Sequence, residues 1–232
     1  MLTTPFLLVP GLNCTEEAFR HLIPALWPLG PVTVANHLEG ETLAAIAANI
    51  LRDAPPTFAL IGFSMGGYIA FEMLRQAPGR VTKLCLLDSS ARPDAPEASE
   101  KRRLNIAKAR AGAFEEVIAG AFPIAVHPDH AGNTELRALH TRMSRAIGPE
   151  TYMRQQQAII ARPDSRPDLP GIGVSTLVVV GEADQITVPD AAAEMASGIP
   201  HARLVIVEGA GHMALLERPE AVTGAVVEWA KR

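Results

Sequence analysis

The sequence predicts an α/β fold: a mostly parallel sheet of about six strands, flanked by helices and interrupted by one helical insertion. Three observations carry this. Six short runs, Phe6–Val9, Val32–Val34, Phe58–Ile61, Leu84–Leu87, Thr176–Val180 and Leu204–Val207, are apolar or β-branched throughout, as expected for strands buried on both faces. Helical stretches separate these runs, and strands alternating with helices imply a parallel sheet with right-handed crossovers. Between Ser89 and Pro170 no strand pattern occurs, and apolar residues such as Leu136, Leu139, Met143 and Ile147, or Phe114, Val117, Ile118 and Ala121, fall at helical spacing.

Bulk properties bound the function. A chain of 232 residues and 24.7 kDa builds one domain with a full core, burying roughly 70–75% of its unfolded surface. A net charge of -4, a pI near 6.0 and the lack of a long basic run argue against nucleic-acid and membrane-surface partners and for a small-molecule one. Met1–Pro10 has no basic region and its apolar run is too short for a signal peptide or a span, so a cytoplasmic location is expected. Cys14 and Cys85 lack Cys-x-x-Cys spacing, which argues against a disulfide framework or zinc knuckle. His127, His130 and His140 have no carboxylate at metal-binding spacing and read as surface residues.

In chain order, Phe6–Val9 runs into the loop Pro10-Gly11-Leu12-Asn13-Cys14-Thr15, and Glu16 and Glu17 open a helical stretch. Val32–Val34 is a second strand, and Glu41–Leu51 a helix for which Thr42 is an alternative cap. His37 between them reads as a loop residue. The third strand ends at Gly62, before Phe63-Ser64-Met65-Gly66-Gly67 and a helix that Pro78 and Gly79 stop. Strand, sharp turn and helix put Ser64 at a strained apex, where side chains two positions to either side would collide; Gly62 and Gly66 have none. By itself the pentapeptide fits an ordinary turn as well. Its context decides.

Gly62-x-Ser64-x-Gly66, placed between a buried strand and a helix, resembles the nucleophile elbow of the α/β-hydrolase family. The resemblance spans nearly the whole chain and is weakest between residues 91 and 170. It implies a hydrolase core formed by 1–90 and 171–232, with 91–170 a helical cap over the nucleophile, and the family's usual N-terminal antiparallel hairpin missing. The loop after the first strand supplies one oxyanion-hole amide in this family, which falls on Leu12; the second comes from Met65, after the nucleophile. Pro10 stands where the family often has His.

The same resemblance supplies an acid and a base. Asp184, in the Gly-x-x-Asp turn after Thr176–Val180, matches the family's acid, while Asp88, after Leu84–Leu87, is a rival because some members carry the acid there. His212, in Gly209-Ala210-Gly211-His212 ahead of Glu217-Arg218-Pro219, matches the catalytic His. The order Ser64, Asp184, His212 is the family's own.

The insertion holds 12 of the 21 Lys and Arg residues but 10 of the 25 Asp and Glu. Lys101, Arg102 and Arg103 read as a solvated helix face. A cap arginine facing the pocket, Arg137 or Arg142, would hold a substrate carboxylate by a two-pronged contact. The resemblance implies a serine hydrolase of a small carboxylic ester or lactone, working through an acyl-enzyme without cofactor or metal. Carbon–carbon bond hydrolysis, thioester hydrolysis and acyl transfer share the triad. A receptor or scaffold that keeps the fold without turnover is the non-enzyme alternative. Oligomeric state is not legible.

Overall fold

The computed structural model describes residues 4–232. Six strands form one sheet: β1 (Phe6–Val9), β2 (Val32–Val34), β3 (Phe58–Phe63), β4 (Val81–Leu87), β5 (Ser175–Gly181) and β6 (Arg203–Val207). They lie in the order β2-β1-β3-β4-β5-β6, and every pairing among the described residues is parallel. Parallel strands need covered faces, and alternate residues along each strand feed two apolar layers. Leu7, Leu60, Leu84 and Val178 pack on one side with α2 (Leu43–Asp53), α3 (Met65–Gln76) and α7 (Pro189–Gly198). Leu8, Ile61, Cys85 and Val179 pack on the other with α1 (Leu22–Leu26), α8 (Ala214–Glu217) and α9 (Pro219–Lys231). Burial on both sides is why these strands read as unbroken apolar runs.

The strand order places the site. From β1 the chain steps outward to β2 and then crosses back over β1 to β3, so the connections leaving β1 and β3 diverge and open a crevice at their C-terminal ends. Leu12 and Ser64 follow those two ends. Asp88, Asp184 and His212 follow β4, β5 and β6 at the same edge of the sheet.

Three further helices, α4 (Pro96–Arg110), α5 (Phe114–Ala125) and α6 (Thr134–Ile160), lie between β4 and β5. Gly148, at φ 79° ahead of Pro149, breaks the helical backbone of α6. The ends of this segment are tied together, since the Ser165 amide donates to the Ala91 carbonyl at 2.8 Å. Phe122, Val126, Leu139 and Met143 belong to the same apolar layer as Phe63 and Met213, so the segment is packed into the core. No helix among the described residues is long and apolar enough to cross a membrane.

Candidate active site

Ser64 sits at φ 53°, ψ -116°, between the end of β3 and the first residue of α3. An L-residue adopts that conformation only where its surroundings hold it. Here the Ser64 amide donates to Leu87 O at 2.9 Å, its carbonyl accepts from Ser89 Oγ at 2.9 Å, and Gly67 N donates to the same carbonyl at 2.9 Å. The elbow also needs bare backbone beside it. A Cβ on Gly66 would lie 2.0 Å from Val9 O, and one on Gly62 would lie 2.5 Å from Gly66 O. The collisions the glycines avoid are therefore with neighbouring backbone, not with Ser64 itself. Gly11 is less tight but still close, since its Cβ would come within 3.1 Å of Ser64 Cβ.

His212 Nε2 is 2.8 Å from Ser64 Oγ, and His212 Nδ1 is 2.8 Å from Asp184 Oδ2. The three residues thus form one hydrogen-bonded line, all of them buried. Asp184 is well supplied with donors: Ile186 N at 2.7 Å and Thr187 N at 3.0 Å to Oδ1, and Thr187 Oγ1 at 2.7 Å to Oδ2. Burial alone would raise its pKa, but the His212 charge and the hydrogen bonds from His212 and Thr187 outweigh burial and hold the carboxyl below its ordinary value. An Asp followed three residues later by Thr, as Asp184 is by Thr187, is a local sequence signal for such a turn.

Asp88 behaves differently. Its Oδ1 accepts from Gly181 N at 2.8 Å, its Oδ2 has no partner, and no hydrogen bond joins it to His212. Burial, reinforced by the nearby Asp184 charge, pushes its pKa well above 3.8. Of the two carboxyl groups that the sequence left open, Asp184 is the one against His212.

The amides of Leu12 and Met65 have no acceptor among the described residues. Met65 N is at the N-terminus of α3, where unpaired N–H groups and the helix dipole both favour negative charge. Leu12 and Ser64 share the wall of a cavity of about 390 Å³ that also takes in His212, Met213 and Tyr152. Cys14 lines it too, but burial pushes its thiol up to about 12, so it stays protonated and is no rival nucleophile.

Three expectations about other residues change. Neither Arg137 nor Arg142 lines the cavity: Arg137 donates to Ala131 O at 2.6 Å and stacks on Phe122, and Arg142 pairs with Glu17. Helical periodicity gives neighbours on a face but not which face turns inward. Lys101 and Arg102, in contrast, do line the cavity, whereas Arg103 pairs with Glu100. His140 is not a surface residue either; it is buried on the cavity wall beside Phe122, and burial, helped by the Arg137 charge, lowers its pKa to about 4. His37 is buried as well, with a pKa lowered to about 4 by burial, and does not reach the cavity.

Glu217 is another residue that the sequence did not single out for function. Its side chain is fully buried; Oε1 accepts from Gly211 N at 2.8 Å, and Oε2 accepts from His127 N and His130 Nδ1, both at 2.7 Å. Met213 N donates to Ala125 O at 3.0 Å beside it. The loop carrying His212 is thereby fastened to the end of α5.

Residues 40–219 match the model of a family described as the alpha/beta hydrolase fold. A pimeloyl-[acyl-carrier protein] methyl ester esterase from Neisseria meningitidis serogroup B is 27% identical over 237 residues, covering 92% of this chain and 88% of that protein. Among solved structures, a thermophilic esterase from Thermogutta terrifontis aligns with a TM-score of 0.89 and 29% identity over 99% of this chain and 90% of its own. The enol-lactonase from Burkholderia xenovorans LB400 has the same TM-score of 0.89 at 24% identity, over 100% of this chain and 93% of its own, a likeness of fold.

Proposed function

The chain belongs to the α/β-hydrolase fold family, and from that membership we propose that it is a serine hydrolase cleaving a small carboxylic ester or lactone through an acyl-enzyme. The observation that carries this reading is the hydrogen-bonded line from Ser64 Oγ through His212 to Asp184 at the wall of a cavity. Ser64 Oγ attacks the carbonyl carbon while His212 Nε2 takes its proton. Asp184 keeps the imidazole in the tautomer that can do so and stabilises the imidazolium that forms. The negative oxygen of the tetrahedral intermediate is met by the N–H groups of Leu12 and Met65. His212 then gives the proton to the departing alkoxide oxygen, leaving Ser64 acylated, and a water deprotonated by His212 releases the acid. In a lactone the departing hydroxyl stays on the acyl chain.

Thioester hydrolysis, acyl transfer and carbon–carbon cleavage could begin from the same nucleophile. The relatives, a methyl ester esterase and a thermophilic esterase, support the ester among them. A receptor reading has less support, because selection for binding alone would not maintain a serine, a histidine, an acid and the bare elbow glycines together. We further read residues 91–170 as a cap, because helices from that segment supply much of the cavity wall over Ser64.

The test is hydrolysis of p-nitrophenyl esters of increasing acyl length by the wild type and by Ser64→Ala. The expected result is turnover by the wild type and a loss of at least about 10³-fold in the variant. Activity that survives in Ser64→Ala would refute the assignment.

A further inference from the structure

Three of the five basic residues of α4, Lys101, Arg102 and Lys108, line the cavity, although in sequence they look like a solvated face. Ala98, Lys101, Arg102, Asn105 and Lys108 all line it, and their spacing of three and four residues puts them on one side of the helix. Glu116 is the one acidic residue on the same wall. Several basic residues elsewhere in the segment are paired with carboxylates, Arg103 with Glu100, Arg142 with Glu17 and Arg145 with Glu115, while Arg137 and Arg154 donate to backbone carbonyls away from the cavity. Lys101 and Lys108 have no ion pair among the described residues.

Arg102 is held in place. Its Nε lies 3.2 Å from both oxygens of Asp94, and its Nη1 donates to Gln156 Oε1 at 2.7 Å. Gln156 Nε2 in turn donates to the Tyr152 hydroxyl at 2.8 Å. Arg102 Nη2 has no partner among these. Asp94 is shared, since Arg162 Nη1 also donates to it at 2.6 Å. Two guanidinium groups on one carboxylate leave a net positive charge, and a guanidinium fixed by neighbours loses little freedom when it takes an anion.

We propose that this face of α4 is a carboxylate subsite, and that the substrate is a half-ester of a dicarboxylic acid or a lactone bearing a carboxylate, with Arg102 the principal contact and Lys101 and Lys108 drawing the anion in. This rests on the serine-hydrolase reading for the identity of the ligand as a substrate. It replaces Arg137 and Arg142 in that role.

The test compares mono-p-nitrophenyl adipate with p-nitrophenyl hexanoate, two acyl chains of equal length that differ in the terminal carboxylate. The expected wild-type result is a kcat/KM at least about tenfold higher for the adipate half-ester, consistent with one charge-assisted contact, and a preference that shrinks at high salt. Arg102→Gln should bring the ratio close to one, and the double variant Lys101→Gln, Lys108→Gln should lower it several-fold without disturbing Asp94. Arg145→Gln, away from the cavity, should leave both rates as they were. A wild-type ratio of one or less, or a ratio unchanged in both subsite variants, overturns the proposal. A second arm measures binding of adipate and hexanoate to Ser64→Ala by calorimetry. Tighter adipate binding supports the subsite even if neither ester is turned over, a result that would refute the hydrolase reading alone; equal or weaker binding overturns the subsite whatever the turnover.

Discussion

Two buried aspartates stand at neighbouring strand ends, and their surroundings drive them apart. Asp184 is surrounded by donors and faces His212, so its pKa lies below the ordinary value; Asp88 has one donor and an orphaned oxygen, and burial raises its pKa. Asp184→Asn would present the wrong partner to His212 Nδ1 and should lower kcat on the order of 10⁴-fold. Asp88→Asn should change kcat little. It should also alter the pH dependence of stability. A carboxyl whose folded pKa is raised above 3.8 keeps its proton in the native state while the unfolded chain loses one, so the native state loses stability as pH rises from about 4 toward the folded pKa. The melting temperature of Asp88→Asn, relative to wild type, should therefore climb as pH rises above about 4 and match at the acid end. A gap that does not vary with pH, or a kcat loss at Asp88 exceeding that at Asp184, would reverse the two roles. The sequence could place both acids at strand ends, but not their donors. Thr187 lies in the same turn as Asp184, whereas the Gly181 amide reaches Asp88 only through the fold.

At the scale of elements, the strands were legible because burial on both faces leaves unbroken apolar runs. Strand β4 shows the limit. It begins at Val81, three residues before its apolar run, because Lys83 buries its stem and sends Nζ to the carbonyls of Trp229 and Ala230 at the end of α9. Helix α2 begins at Leu43 because the Thr42 hydroxyl accepts from Ala45 N at 3.1 Å, which settles the alternative the sequence left open. Least legible were contacts between the inserted helices and the rest: which face of α4 turns inward, and what Glu217 does. Glu217→Gln would set an amide N–H₂ against at least one of the three N–H donors, and a hydrogen bond to a buried acidic group is typically worth about 2 kcal/mol. The melting temperature should fall by several degrees. Because Gly211 is one of its partners and precedes His212, kcat should fall about tenfold with KM for a neutral ester moving less. Thermal melts with steady-state kinetics check both, and wild-type kcat in a destabilised variant would restrict Glu217 to stability.

For the whole molecule, parallel strands bring every C-terminal end to one edge, and the reversal of strand order between β2 and β3 opens the crevice there. Residues as distant in sequence as Ser64 and His212 come within 2.8 Å because each sits just past its own strand. This convergence was readable in advance from strand–helix alternation and from the order serine, acid, histidine. The composition of the cavity was not, because it depends on how α4, α5 and α6 pack over the sheet rather than on any local pattern. The central claim is that Ser64 carries the acyl group, and the most direct measurement is mass spectrometry of enzyme acid-quenched within the first turnover on p-nitrophenyl acetate, followed by peptide mapping. The account predicts one acetyl group per chain, confined to the peptide containing Ser64 and absent from Ser64→Ala. Steady release of p-nitrophenol with no modified Ser64, or an acetyl group on another residue, would contradict it.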